Sequence, residues 1–248
     1  MLPIDMPLTP HVPMNSPRPA PGTAATLSDA TLTRDDLESL LARHAEPLAF
    51  EGCSFDGEDL SGLDLHGAEF RQCSLVETNW LGAKLGETRW LRCRGRQADF
   101  QSTSLVDAQF HSCDLNNTEW RRAKLSSTQF QGCKLTGASF VEVSALGCHF
   151  ADSLLVGADL RGMSFRKAHL DQLDFSDADL SGCDFREAVF SGGSLRHAQV
   201  KLTQFQKADL RDADIGGLQL FDAKLFRGAL ISNAQAAALL AAWGLIVA

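Results

Sequence analysis

Tyrosine is absent from this chain of 248 residues, although 15 Phe and four Trp are present. The aromatic side chains are therefore almost wholly apolar, and buried rings carry no phenolic hydroxyl that would need a partner. No run of 18 apolar residues occurs, which excludes a membrane-spanning helix. Proline is nearly missing from the body of the chain, since seven of the eight lie in the first 21 residues. No C-x-x-C pair occurs and the closest cysteines are Cys133 and Cys148, which argues against zinc-finger and thioredoxin-like sites. G-x-S-x-G, Walker A, G-x-G-x-x-G and H-E-x-x-H motifs are also missing, so nothing here announces catalysis and no cofactor or metal is expected. Basic charge is short as well. With 23 Lys and Arg against 31 Asp and Glu the net charge is −8, which disfavours direct binding of nucleic acid or of an anionic membrane.

The prolines delimit the first segment. Pro3, Pro7, Pro10, Pro13, Pro17, Pro19 and Pro21, with Asp5, interrupt any apolar stretch that could serve as a conventional secretory signal. Residues 1–28 are expected to form a disordered or extended leader. A cytoplasmic location is expected, with export by a specialised secretion system left open.

What is present is a period of five. From Phe50 to Leu230, 35 of 37 positions spaced by five are bulky and apolar, and only Gly95 and Ala145 break the rule. Two residues before each comes a small side chain, in 31 of 37 cases Ala, Cys, Thr, Ser, Gly or Val. Such a period fits neither the 3.6 of a helix nor the 2 of a flat strand. Each five-residue unit must turn a corner and point one large and one small side chain inward. Cys53, Cys73, Cys93, Cys113 and Cys133 recur every 20 residues at the small position, so four units return the chain to the same side. Phe50, Phe70, Trp90, Phe110, Phe130 and Phe150 fall in one column of the same superperiod.

Stretches such as Ala158-Asp159-Leu160-Arg161-Gly162 and Ala208-Asp209-Leu210-Arg211-Asp212 match the repeat of the pentapeptide-repeat family, and the resemblance covers residues 46–230. It implies an all-β solenoid, a right-handed quadrilateral parallel β-helix of about nine coils. A short N-terminal helix within 29–45, with Thr33 as N-cap, and a C-terminal helix within 231–248 are expected to cover its ends. The cysteines read as buried spacers with free thiols. His149 and His169 fall in one column but flank the inward position, so they are expected at the surface. Glu58 is out of place in the small column, either reaching water from a distorted first coil or buried as an acid.

Two narrower resemblances point to function. Arg92-Cys93-Arg94-Gly95-Arg96 and the ending Gln235-Ala236 to Gly244-Leu245 look like the quinolone-resistance proteins of this family. That likeness implies a DNA mimic binding DNA gyrase and topoisomerase IV and dimerising through its C-terminal helix. The helical lead-in followed by Asp59-Leu60-Ser61-Gly62-Leu63-Asp64-Leu65, and the strict coils with Cys at one corner, are similar to pentapeptide-repeat proteins of bacterial type VI secretion. That likeness implies an adaptor presenting a rod-shaped face to a secretion component. Both are non-enzymatic protein–protein binding.

Candidate surfaces follow from the 20-residue layout. The position before the large residue on one face carries Asp59, Asp99, Glu119, Asp159 and Asp179, an acidic edge that could imitate a phosphate track or be ordinary corner filler. A basic band holds Arg89, Arg92, Arg94, Arg96, Arg121, Arg122 and Lys124. Leu239, Leu240, Trp243, Leu245 and Ile246 exceed what a lone surface helix needs, and suit either a plug for the last coil or a two-fold dimer contact.

Overall fold

The computed structural model describes residues 26–45, 47–218, 222–242 and 244–246. Most of the expected leader, and Trp243, lie outside the described residues. Nine short parallel strands stack in sequence order: β1 (Thr26–Ser28), β2 (Ala49–Glu51), β3 (Glu69–Arg71), β4 (Arg89–Leu91), β5 (Gln109–His111), β6 (Gln129–Gln131), β7 (His149–Ala151), β8 (His169–Asp171) and β9 (Val189–Ser191). From β2 onward each pairs with the segment 20 residues later, as Phe50 with Phe70 and Phe110 with Phe130. Single bridges repeat the same offset on the other three sides, at Ser54 with Ser74, Asp59 with Asn79 and Asp64 with Lys84. The result is a four-sided parallel β-solenoid of about eight turns. Its faces are numbered here by their inward residues: face 1 through Phe50, face 2 through Phe55, face 3 through Leu60 and face 4 through Leu65.

Corners explain the period. At most of them the carbonyl of the large residue accepts from the amide of the next small residue, as Leu65 from Ala68 at 3.0 Å, and the second residue between them has positive φ. That is a type II turn, in which glycine is the unstrained choice. Gly67 and Gly162 supply it, but Glu77, Arg122 and Lys167 adopt the same conformation. Coil stacking therefore enforces a backbone that these side chains alone would avoid.

The small column on the corner after face 1 behaves differently. There Cys73, Cys93, Cys113 and Cys133 donate Sγ–H to carbonyls of the preceding coil, those of Phe50, Phe70, Trp90 and Phe110, at 3.3–3.5 Å. Ser153 continues the column with the same role toward Phe130. All seven cysteines are free thiols, and all but Cys148 are buried.

Inside, the rings form two interlocked ladders. Within a column they stack, as Phe70 on Trp90 at 3.9 Å and 5°, and Phe110 on Phe130 at 5.0 Å and 8°. Between columns they meet edge to face, as Trp80 with Trp90 at 5.7 Å and 87°. Both are favoured aromatic geometries. The missing tyrosine hydroxyls are an advantage here, because the Nε1–H groups of Trp90 and Trp120 already use the Thr88 and Thr118 hydroxyls.

The ends depart from the sequence reading in instructive ways. Thr26–Ser28, assigned from sequence to the leader, form β1 on the first full coil. Helix α1 (Arg34–Arg43) then crosses that end with Thr33 and Asp36 forming a reciprocal capping box. Glu58 is neither in a distorted coil nor buried: half-exposed, it accepts the Arg34 amide at 3.1 Å, while Arg34 Nη1 donates to the carbonyls of Asp59 and Ser61. An acid in the small column thus docks the N-terminus of α1. At the other end the register slips by one residue. By the 3-10 turn Ala223–Phe226, capped by Asp222, the shift is in place: Phe226 rather than Leu225 stacks on Phe205, the Phe205 amide donates to the Leu225 carbonyl, and Leu230 is exposed. Helix α2 (Asn233–Ala242) follows, capped by Ser232 and Gln235. Gln235 Nε2 donates to the carbonyls of Leu210 and Ala213, both at 2.7 Å, and Gly244 closes α2 with positive φ.

Removing a stacked ring leaves a cavity between two rigid coils that cannot close on it. Phe110→Ala should lower the unfolding free energy by about 3–5 kcal/mol, read from urea titration, and Thr33→Ala by about 1 kcal/mol.

Candidate functional site

The inward positions are filled, so function must be sought on the outer faces. The acidic edge is a true column: Asp59, Asn79, Asp99, Glu119, Ser139, Asp159, Asp179 and Gln199 follow one another by parallel bridges along face 3. Its carboxylates also have local duties. Asp59 Oδ1 accepts the Ser61 amide at 3.0 Å, Asp99 the Gln101 amide at 2.8 Å and Asp179 the Ser181 amide at 3.0 Å. These are Asx turns, which hold the corner. Asp59 is held below the usual carboxylate range by its hydrogen bonds from Ser61. Asp159 is held low chiefly by Arg161, which grips it at 2.8 and 2.6 Å and also lies 3.7 Å from Asp179. Glu119 is exposed and makes no ion pair among the described residues. The column is thus most open at Glu119, whereas Asp99 is half-buried and accepts from both the amide and the side chain of Gln101.

The basic band divides. Arg89 and Arg92 lie on face 1 and Arg94 and Arg96 on face 2, around one corner, whereas Arg121 and Arg122 lie on face 3 and Lys124 on face 4, around the opposite corner. All seven are exposed. Arg96 pairs with Asp114 at 2.8 Å, and Arg121 and Arg122 approach Glu142 at 3.8 and 3.6 Å. A net count along the chain had merged two patches that face apart. The reading also missed Arg161, Arg166 and Lys167, which lie two coils beyond Arg121, Arg122 and Lys124 on the same side of the rod. Their position in an acidic stretch of sequence hid them.

At the C-terminal end Leu239 is half-buried against the core and Leu240 is half-buried, whereas Leu245 is 53% and Ile246 95% exposed. The C-terminal segment therefore divides between a plug on α2 and free apolar surface beyond Gly244, to which exposed Leu230 and Ile231 add. His149 and His169 share a column and are both exposed. No group of three or more His, Cys, Asp or Glu among the described residues is placed to hold a metal ion. No helix among the described residues is long and apolar enough to cross a membrane.

Comparison with known families agrees with this geometry. Models described as a pentapeptide repeat region, pentapeptide repeats (9 copies) and pentapeptide repeats (8 copies) match residues 63–140, 145–189 and 183–217. The chain belongs to the pentapeptide-repeat family. Among solved pentapeptide-repeat rods, a trypsin-treated form of QnrB1, a plasmid-mediated fluoroquinolone resistance protein, is similar with a TM-score of 0.58 at 23% identity. That match covers 91% of this chain and 98% of the other. Full-length QnrB1 gives a TM-score of 0.50 at 22% identity over 90% of this chain and 98% of the other. A search of curated protein sequences finds no match.

Three Asp-x-Arg pairs share one geometry, Asp159 with Arg161, Asp184 with Arg186 and Asp209 with Arg211, each closing at 2.6 Å, and each Asp is held low by its Arg. Because the folded pKa is depressed, the stability these pairs add is present above the unfolded value of about 3.9 and is lost as pH falls through the folded value. The urea midpoint should stay level from pH 7 to about 4 and fall below that. Replacing Arg161, Arg186 and Arg211 together by Gln should make that fall shallower.

Proposed function

We propose that this pentapeptide-repeat rod is a non-enzymatic protein-binding scaffold that presents the face 3 carboxylates to the cationic DNA groove of a type II topoisomerase. The observation that carries the reading is the column itself, five acids held in register by the coil spacing along one face of a rigid rod. Coils lie ~4.8 Å apart, so five acids over six intervals give one charge per roughly 6 Å. Each strand of duplex DNA carries one per about 3.4 Å. The column can follow one line of phosphates at about half its density, enough to occupy a groove but not to displace DNA without shape complementarity. The likeness in fold to a fluoroquinolone resistance protein over nearly the whole chain supports the same choice.

A second reading, an adaptor in bacterial type VI secretion, is favoured by the two basic corners, which a DNA mimic leaves unused. In either case the exposed Leu245 and Ile246 suit a homodimer through the C-terminal end.

Purified protein at micromolar concentration should inhibit gyrase supercoiling or protect the enzyme from a quinolone. Reversing charge at Asp99, Glu119 and Asp159 together should abolish the effect. An inert wild-type protein would remove the topoisomerase reading. In that case a pull-down in which neutralising Arg92, Arg94, Arg96 and Arg122 releases the captured partner would support the adaptor.

A further inference from the structure

The ladder of coil-to-coil hydrogen bonds is broken at one level, on face 4. Four backbone bonds recur there between successive coils. At the level above the break they run from the amides of Arg122, Leu125 and Ser127 to the carbonyls of Val141, Ser144 and Leu146, and back from the Ser144 amide to the Ala123 carbonyl. At the level below they run from Gly162, Phe165 and Lys167 to Ser181, Asp184 and Arg186, and back from Asp184 to Met163. Between these levels none forms. The amides of Glu142, Ala145 and Gly147 and the carbonyls of Arg161, Ser164 and Arg166 face each other unpaired, as do the Ser164 amide and the Val143 carbonyl. The Ser144–Ser164 bridge is missing as well, and β7 pairs with β8 through Ala151 and Asp171 alone. On faces 2 and 3 the same two coils remain joined, as by Leu155 to Asp174 and Phe140 to Asp159.

Packing gives the cause. Ala145 stands where Leu125 stands above it and Phe165 below, and the aromatic ladder changes columns at this level. Phe150, stacked on Phe130 at 5.0 Å and 8°, meets Phe165 at 6.3 Å and a 54° tilt. Gly95, the other break in the pattern, has no such effect. Leu115 leans into its space, and the Gly95 amide still reaches the Asp114 carbonyl at 2.8 Å.

What opens is a slot of about 460 Å³ whose apolar walls include Phe140, Val143, Leu146 and Met163. Leu146 on its lip is 84% exposed. Three successive levels of this side, residues 121–127, 141–147 and 161–167, carry six cations, Arg121, Arg122, Lys124, Arg161, Arg166 and Lys167, against one anion, Glu142. The ion pairs of Arg121, Arg122, Arg166 and Lys167, such as Arg166 with Glu187 at 3.3 Å, are exposed and exchange at little cost, whereas Arg161 is held by Asp159.

We infer that this slot is a docking site for an extended acidic segment of a partner protein, which adds as a strand to the interrupted ladder. Unpaired amides and carbonyls on both lips call for a strand-forming backbone. The apolar walls take alternate side chains, and the cationic rim requires carboxylates on the others. The site adjoins the acidic column at Arg161, which pairs with Asp159, but its unpaired amides lie on face 4, and it stands whether or not that column meets a topoisomerase.

The test uses the full chain and a short fluorescein-labelled peptide alternating glutamate with valine and leucine. Controls are the same peptide with glutamine for glutamate, and single-stranded DNA of equal charge. In free protein the amides of Glu142, Ala145, Gly147 and Ser164 should exchange hydrogen much faster than those of Arg122, Leu125, Ser127 and Ser144. The acidic peptide should bind at least about tenfold more tightly than the glutamine control and should protect those four amides. Leu146→Glu and Arg166→Glu, both at the surface, should each weaken binding with an unchanged melting temperature. Absence of binding, binding without protection of those amides, retention of binding in both variants, or equal capture of the DNA would each overturn the proposal.

Discussion

Coil-on-coil register is the constraint from which everything else in this rod follows. A 20-residue turn places each residue against its equivalent in the next turn, so one offset governs backbone pairing, ring stacking and surface columns together. Each buried ring contributes on the order of 1.5–3 kcal/mol through area removed from water, before chain entropy is subtracted. The same stacking holds Glu77, Arg122 and Lys167 in a left-handed backbone that isolated turns would leave to glycine. Local preference yields because each corner is stacked on an identical one.

That dominance is why so much of the fold could be read in advance. The inward pairs, the four-sided turn and the cysteine column follow from counting by five and by 20, and the two capping helices from cap residues such as Thr33 outside the repeat. Where reading failed, a side chain served something outside the repeat. Glu58 looked misplaced because its partner is the amide end of α1, not a neighbour in the column. Leu230 looked inward because a register shift of one residue before Phe226 is invisible to periodicity. Ala145 was visible as a break, but only the ladder around it shows what its small volume does.

The candidate surfaces were legible only in part, and for a physical reason. Charge counted along the chain averages over four faces, so Arg94 and Arg122 fell into one band although they face apart. Arg161, Arg166 and Lys167 were diluted by the aspartates of neighbouring faces. Laid out by columns, the exterior becomes an acidic line on face 3 beside a cationic flank toward face 4, with Arg161 joining the two through Asp159 and Asp179. The sequence does contain that arrangement, but at offsets of 20 and 40 rather than as a motif.

Solenoids generally lose structure first from their ends, where a terminal repeat has one neighbour instead of two. In this rod both ends are anchored by helices that bond to the outermost coils through Arg34, Glu58 and Gln235. Among the described residues the ladder is interrupted instead at its waist, between the levels of Ala145 and Phe165. The halves on either side of it, each built on its own aromatic columns, are held together there by faces 2 and 3 and by the Ala151–Asp171 pair of face 1.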